Sequence, residues 1–135
     1  MRESTVDTIA ARLADFDTVV EVGIGHRSGV AEALVAAGVT VTATDIDDRA
    51  VPDGVSFVRD DVTDPDCDVY ATADAIYALN CPPELHRPIA DLAGTVDATF
   101  LFTTLGGDPP TVPVACETLP GETLFVFDDR SRAHQ

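Results

Sequence analysis

Thr18-Val19-Val20-Glu21-Val22-Gly23-Ile24-Gly25-His26-Arg27-Ser28-Gly29 is the stretch on which the fold turns. From Thr18 to Val22 it is β-branched and apolar except for Glu21, the pattern of a buried central strand, and the glycines end that strand. Gly23 and Gly25 let the backbone turn sharply and let a ligand approach where a Cβ would collide, while Ser28 stands where it can cap a following helix. A glycine-rich turn between a buried strand and a helix start presents backbone N–H groups to a nucleotide-derived ligand.

The same alternation continues outward. Ser4-Thr5-Val6-Asp7, followed by Ile9, Ala10, Leu13 and Phe16 at helical spacing, predicts an N-terminal helix over residues 4–16. Downstream, Val30, Ala31, Leu34 and Val35 form the apolar stripe of a helix ending at Gly38. Strands are predicted over residues 39–44, closing on Asp45, and 55–58, entered through Pro52-Asp53-Gly54. A fourth strand follows over 73–79, a helix over 83–92, a fifth strand over 98–105 and a sixth over 123–127. Gly106-Gly107-Asp108-Pro109-Pro110 is the conspicuous loop, and Ser131 to Gln135 reads as a frayed tail. The expected class is α/β: residues 1–135 as a single Rossmann-like, three-layer α/β/α domain with a mostly parallel sheet and ligands at the carboxyl ends of its strands.

Composition narrows the setting. With 135 residues, 45% of them apolar, the chain can bury one sizeable core. Aspartate and glutamate total 24 against 8 arginines, with no lysine, for a formal charge of −16. Such self-repulsion loosens a compact chain at low ionic strength, whereas molar salt shortens the screening length to about 3 Å and removes most of the penalty. The acids are scattered along the chain, which points to halophilic adaptation in a salt-loading cytoplasm. The charge argues against a nucleic-acid partner, because binding to phosphates draws on Lys and Arg. No apolar run approaches the roughly 18 residues of a membrane span, and the start carries no signal-peptide core, so a cytoplasmic location without membrane contact is expected. Cys67, Cys81 and Cys116 form no C-x-x-C pair, and His26, His86 and His134 lie at no metal-ligand spacing from them. Reduced, mostly buried thiols and no metal site are expected.

Two acids give the glycine turn its meaning. Asp45 lies about 20 residues beyond the glycines at the end of the second strand, where a carboxylate can accept from ribose hydroxyls. Glu21 sits near the end of a strand that should otherwise be apolar, and burying it requires a cationic or hydrogen-bonding partner. In a dinucleotide fingerprint G-x-G-x-x-G/A the third small residue would stand where Ser28 is, so NAD is kept only as an alternative ligand. Glu21-Val22-Gly23-Ile24-Gly25 resembles the first motif of class I S-adenosylmethionine-dependent methyltransferases, E/D-x-G-x-G. The resemblance implies S-adenosylmethionine as cofactor, with Glu21 helping to hold its cationic methionine end and Asp45 at the ribose. It also implies an acid near the adenine amino group, Asp61 ahead of Asp60. Asp47, Asp48 and Asp64 read as solvated surface.

The fourth strand ends in Tyr77-Ala78-Leu79-Asn80-Cys81-Pro82-Pro83-Glu84-Leu85, where two prolines fix a turn and Asn80 can offer an amide. This is similar to the N-P-P-aromatic motif of amino-group methyltransferases, with Cys81 intruding and Glu84 in the aromatic position, and it implies Asn80 as the catalytic candidate. Taken over its length, the chain resembles an uncharacterised archaeal UPF family of short Rossmann-like proteins; where that family's Tyr-Ser-Ile-Arg-Pro-Pro-Glu-Leu turn is expected, this chain reads Tyr77-Ala78-Leu79-Asn80-Cys81-Pro82-Pro83-Glu84-Leu85, with Asn80 or Cys81 in the cationic position. The reading that follows is a methyltransferase-like protein with an unknown acceptor. The alternatives are a non-catalytic nucleotide or S-adenosylmethionine sensor, and an NAD-binding domain. The charge predicts a salt-dependent fold: circular dichroism in millimolar buffer should show lost structure that returns in molar KCl, and equal stability in both would contradict halophilic adaptation.

Overall fold

Seven short segments rich in valine, threonine and phenylalanine pair into one sheet in the computed structural model, which describes residues 3–128. They are β1 (Thr18–Val22), β2 (Thr40–Asp45), β3 (Val55–Arg59), β4 (Ala75–Ala78), β5 (Thr99–Phe102), β6 (Ala115–Leu119) and β7 (Glu122–Phe127). Their order is β3-β2-β1-β4-β5-β7-β6. The first five strands run parallel, and β7 is inserted antiparallel between β5 and β6.

The two-residue period of the strands sorts side chains onto two cores. Val19, Ala75, Tyr77 and Leu101 face α1 (Glu3–Leu13) and α2 (Gly29–Ala36), packing with Ile9, Leu13, Val30 and Leu34. Val20, Val22, Ile76, Ala78, Phe100 and Phe102 face the opposite way, onto α3 (Cys67–Tyr70) and α4 (Pro83–Val96). This is the expected three-layer arrangement. β1 lies between β2 and β4, so chain connections depart in opposite directions on its two sides. In open α/β sheets the crevice at such a switch point, outside the carboxyl ends of the strands, is where ligands bind.

Several expectations need correction. β6 is not foreseen in the sequence: its side chains are exposed or half-buried along its whole length, so it shows no apolar alternation. Pro120-Gly121, which turns β6 into β7, is its visible trace. The N-terminal helix spans Glu3–Leu13 and stops short of Phe16. α4 continues through Gly94 to Val96, ending where Asp97 adopts a left-handed φ of 61°. β5 ends at Phe102, and Thr103 to Leu105 leave the sheet. Ser28 precedes α2 but makes no side-chain capping bond. Cys81 is buried whereas Cys67 and Cys116 are exposed, so the thiols are not mostly buried. Residues 131–135 and His134 lie outside the described residues.

His86, fully buried on α4, ties the long β5–β6 connection to the turn after β4. Thr111 N–H donates to its Nδ1 at 3.1 Å, so the proton sits on Nε2, which donates to the Cys81 carbonyl at 3.1 Å. The ring also packs on Phe102, with centroids 4.5 Å apart. His86→Leu would leave the buried Cys81 carbonyl unpaired and release the part-buried Thr111 N–H, and should destabilise the fold by about 1–3 kcal/mol. Denaturant unfolding in molar KCl measures this loss, and faster hydrogen exchange at Thr111 would locate it.

Candidate functional site

The glycine turn is tied to the end of β2 by three hydrogen bonds. Gly23 and Ile24 N–H both donate to the Thr44 carbonyl, at 2.9 and 3.2 Å, and Gly25 N–H donates to Asp45 Oδ2 at 2.9 Å. Gly23 and Gly25 have φ of +72° and +56°, and a Cβ built on either would meet nothing within 4 Å. Their need for glycine is therefore the backbone conformation, and the space above them is open to a ligand. The turn N–H groups, expected to face that ligand, are instead used on β2.

Asp45 is 7% exposed. Burial pushes its carboxyl up, but N–H groups of Asp47 and Gly25 and the charge of Arg49 outweigh it, leaving Asp45 below the usual carboxylate range. Arg49 Nε lies 3.4 Å from Asp45 Oδ2 without hydrogen-bond geometry, so the pair is an ionic contact, while Nη1 meets His26 Nε2 at 3.0 Å. Asp47 N–H takes one site on Oδ1, which leaves that oxygen with one further lone pair to offer.

Glu21 is 1% exposed, and Tyr77 O–H donates to its Oε1 at 2.7 Å. The two residues stand in register on β1 and β4 and share one face of the sheet. Burial pushes Glu21 from its ordinary 4.5 up to about 7, against the opposing effect of the Tyr77 bond. The other carboxylate oxygen has no hydrogen-bond partner among the described residues, and Glu21 lines a cleft.

That cleft, of about 640 Å³, also holds Gly25, His26 and Arg27. A second cleft of about 500 Å³ holds Asp45, Ile46, Asp60, Asp61 and Val62. Both share Gly23, Leu79 and Asn80, so together they form one trough across the carboxyl ends of β1, β2 and β4. Each is in the ordinary size range of ligand sites, about 300–1,000 Å³. All the predicted site residues, Glu21, Gly23, Gly25, Asp45, Asp61 and Asn80, line this trough.

The two acids after β3 differ. Asp60 accepts from Tyr70 O–H at 2.6 Å and Asp66 N–H at 3.1 Å, so each of its oxygens holds a local donor. Asp61 is exposed and uses only Oδ1, bonded by the Thr63 hydroxyl and N–H, which hold its carboxyl below the usual range. Oδ2 of Asp61 has no partner among the described residues. Asn80 takes a left-handed φ of 51°, with its N–H bonded to Thr103 Oγ1 at 2.8 Å and its side-chain amide unpaired among the described residues. Burial, with the nearby Glu84 charge, pushes the Cys81 thiol up to about 12, which removes it as a nucleophile. Among the described residues no cluster of acids, histidines and cysteines fits a metal ion. No described helix is long and apolar enough to cross a membrane.

Sequence reading missed Tyr77, Arg49, Ile46 and Leu105. The last two are the large hydrophobic residues exposed among the described residues, at 61% and 67%, and they line different halves of the trough. Ile46 follows a predicted strand-end acid, and Leu105 precedes the glycine pair of the loop; those positions were the available signals.

The model of an uncharacterised protein family, UPF0146, matches residues 4–130. The chain belongs to the UPF0146 family. A UPF0146 protein of Halobacterium salinarum is 56% identical over 123 residues, covering 90% of this chain and 95% of the relative. Among solved structures, this UPF0146 chain is similar to an RNA methyltransferase from Salinibacter ruber in complex with S-adenosyl-L-homocysteine. The TM-score is 0.66 at 17% identity, with 95% of this chain and 92% of that one covered. It is also similar to a 1,6-didemethyltoxoflavin-N1-methyltransferase from Burkholderia thailandensis with bound S-adenosylhomocysteine, at TM-score 0.53 and 19% identity, covering 98% and 62%. At these identities the likeness is one of fold, and the UPF0146 fold here is methyltransferase-like.

Glu21 makes the site pH-sensitive. Below about pH 4.5 its carboxyl is protonated in both folded and unfolded chains and adds no penalty. Between 4.5 and about 7 only the unfolded chain ionises, so the residue lowers stability as pH rises, and above 7 the loss is constant. Glu21→Gln should therefore match the parent near pH 4.5 and exceed it above pH 7 by up to about 3 kcal/mol. Denaturation curves of both proteins across that range in molar KCl measure the difference, and a variant less stable than the parent at pH 8 would contradict the assignment.

Proposed function

We propose that this UPF0146 protein binds S-adenosylmethionine along the trough and acts as a methyltransferase on a small acceptor. The observation that carries the reading is the buried Glu21, a carboxylate with one hydroxyl partner that faces the same trough as Asp45. A cation set against it recovers the electrostatic energy that burial takes away, and the methionine end of the cofactor carries an ammonium and a sulfonium. The open lone pair of Asp45 Oδ1 suits a ribose hydroxyl. Ile46 offers an apolar face to the adenine, with Asp61 Oδ2 available to its amino group.

When bound, the cofactor supplies an electrophilic methyl group on its sulfonium. Asn80, shared by both halves of the trough, orients the acceptor through its amide; its left-handed backbone, anchored on Thr103, holds that amide in place. Positioning of this kind supplies much of the rate in such transfers. The −16 charge favours a small-molecule acceptor over a nucleic acid.

NAD fits less well. Its pyrophosphate requires free turn N–H groups, and those of Gly23, Ile24 and Gly25 are engaged by β2, whereas S-adenosylmethionine has no phosphate. Thermal-shift titration in molar KCl should give a larger stabilisation with S-adenosylmethionine or S-adenosylhomocysteine than with equal NAD. A larger shift with NAD would overturn the reading. Asp45→Ala should weaken cofactor binding 10- to 150-fold, the loss of a bond to a charged acceptor of about 1.5–3 kcal/mol, while exposed Asp47→Ala should change it less than about threefold. Calorimetry on variants shown by circular dichroism to be folded decides between them.

A further inference from the structure

Beyond the trough, on the far side of Asn80, lies a third cleft of about 650 Å³ between α1, the glycine turn and the segment Thr104 to Gly106. It adjoins the trough, sharing Arg27, Asn80 and Leu105 with it, but contains none of Glu21, Gly23, Asp45 or Asp61, the residues that the cofactor reading assigns to the cofactor. Four polar side chains on its wall, Thr5, Arg27, Asn80 and Thr104, have no hydrogen-bond partner among the described residues. Thr5 and Thr104 are only 5% and 8% exposed, and what exposure they keep includes their hydroxyls, which are not sealed from the cleft.

Arg27 is the most informative of the four. In a chain with three acidic residues for every basic one, each other described arginine has found an acceptor. Arg12 pairs with Glu117, Arg49 with Asp45, Arg87 with Asp91, and Arg59 donates to the Ile46 carbonyl. Arg27 pairs with none, though Glu122 lines the same cleft and accepts from Thr123 N–H. A guanidinium, an amide and two hydroxyls converging on one space form a donor set shaped for an oxyanion, and Arg presents its donors as a planar fork. Leu105, 67% exposed, adds an apolar wall beside them.

We propose that this cleft binds a second molecule, a small compound with an apolar body and a carboxylate or phosphate held by Arg27, Thr104 and Thr5. Its role as the methyl acceptor, with the reacting atom brought to Asn80, rests on the cofactor reading above; its capacity to bind an oxyanion does not. Because molar salt screens bare charge, the site must select by hydrogen-bond geometry.

Nitrogen-15 NMR titration of the full chain in molar KCl tests this, with benzoate and phenyl phosphate exchanged for chloride at constant ionic strength, without and with saturating S-adenosylhomocysteine. Saturable shifts are expected at the amides of Arg27, Thr104 and Leu105 with at least one probe. Affinity should fall at least tenfold in Arg27→Gln, hold in Arg87→Gln, and persist when S-adenosylhomocysteine is bound; the tighter probe identifies the anionic group. Absence of saturable shifts with both probes, or equal affinity in Arg27→Gln, overturns the proposal. So does displacement of the probe by S-adenosylhomocysteine together with weaker S-adenosylhomocysteine binding in Arg27→Gln, which would assign Arg27 to the cofactor's own carboxylate. If the probes titrate through Arg27 while S-adenosylhomocysteine does not bind at all, the oxyanion site stands and the cofactor reading falls.

Discussion

The carboxylate of Glu21, buried in the middle of a parallel sheet, is the constraint around which the ends of β1 and β4 are arranged. Removing a charged group from water is expensive, and one hydroxyl from Tyr77 offsets only part of that cost. A core built for stability alone would place an apolar residue here, as it does at Val19 on the same face of β1. The strand register sets Tyr77 opposite Glu21 and thereby fixes where the carboxylate can point. Because β1 is also the strand at which the sheet changes winding direction, the unfavourable charge lies at the place where the topology opens a crevice. Stability given up at such a position is the usual mark of a functional site.

Asp45 shows the opposite logic at the neighbouring strand end. Its carboxylate is held low by donors it has already gathered, and one of these, Gly25 N–H, belongs to the glycine turn. The side chain thus has a structural task, shaping the turn, as well as an open face toward the trough. Two carboxylates on adjacent strands are kept in different protonation regimes by their surroundings alone, the protonation of Glu21 being favoured by burial and the ionisation of Asp45 by its donors.

The central part of this architecture is legible in the sequence because its signals are local. The β-branched run before the glycines, the acid closing the second strand and the two prolines after Asn80 each report on a few neighbouring residues, and the structure brings them to one crevice. What escapes is whatever depends on pairing across distance. Tyr77 becomes the partner of Glu21 only once the register of β1 and β4 is known, 56 residues apart. β6 is an edge strand paired on one side with β7, and without a buried face it carries no alternation to read. The engagement of the turn N–H groups by Thr44 is a tertiary fact of the same kind. Asp60 and Asp61, adjacent in sequence, separate only when Tyr70 and Asp66 are seen to take up the first.

His86 couples two segments that the chain order keeps apart. Its ring accepts from Thr111 and donates to Cys81, and Thr111 in turn bonds the Pro83 carbonyl through its hydroxyl at 3.3 Å. Thr103 joins them from the other side, receiving Asn80 N–H on its hydroxyl and Cys81 N–H on its carbonyl. The turn bearing Asn80 and both roots of the Gly106–Pro110 loop are therefore one mechanical piece, hinged on α4 and β5. A displacement of the loop large enough to widen the cleft beside it would drag the Asn80 amide along, so that access to the site and alignment within it are governed by a single motion.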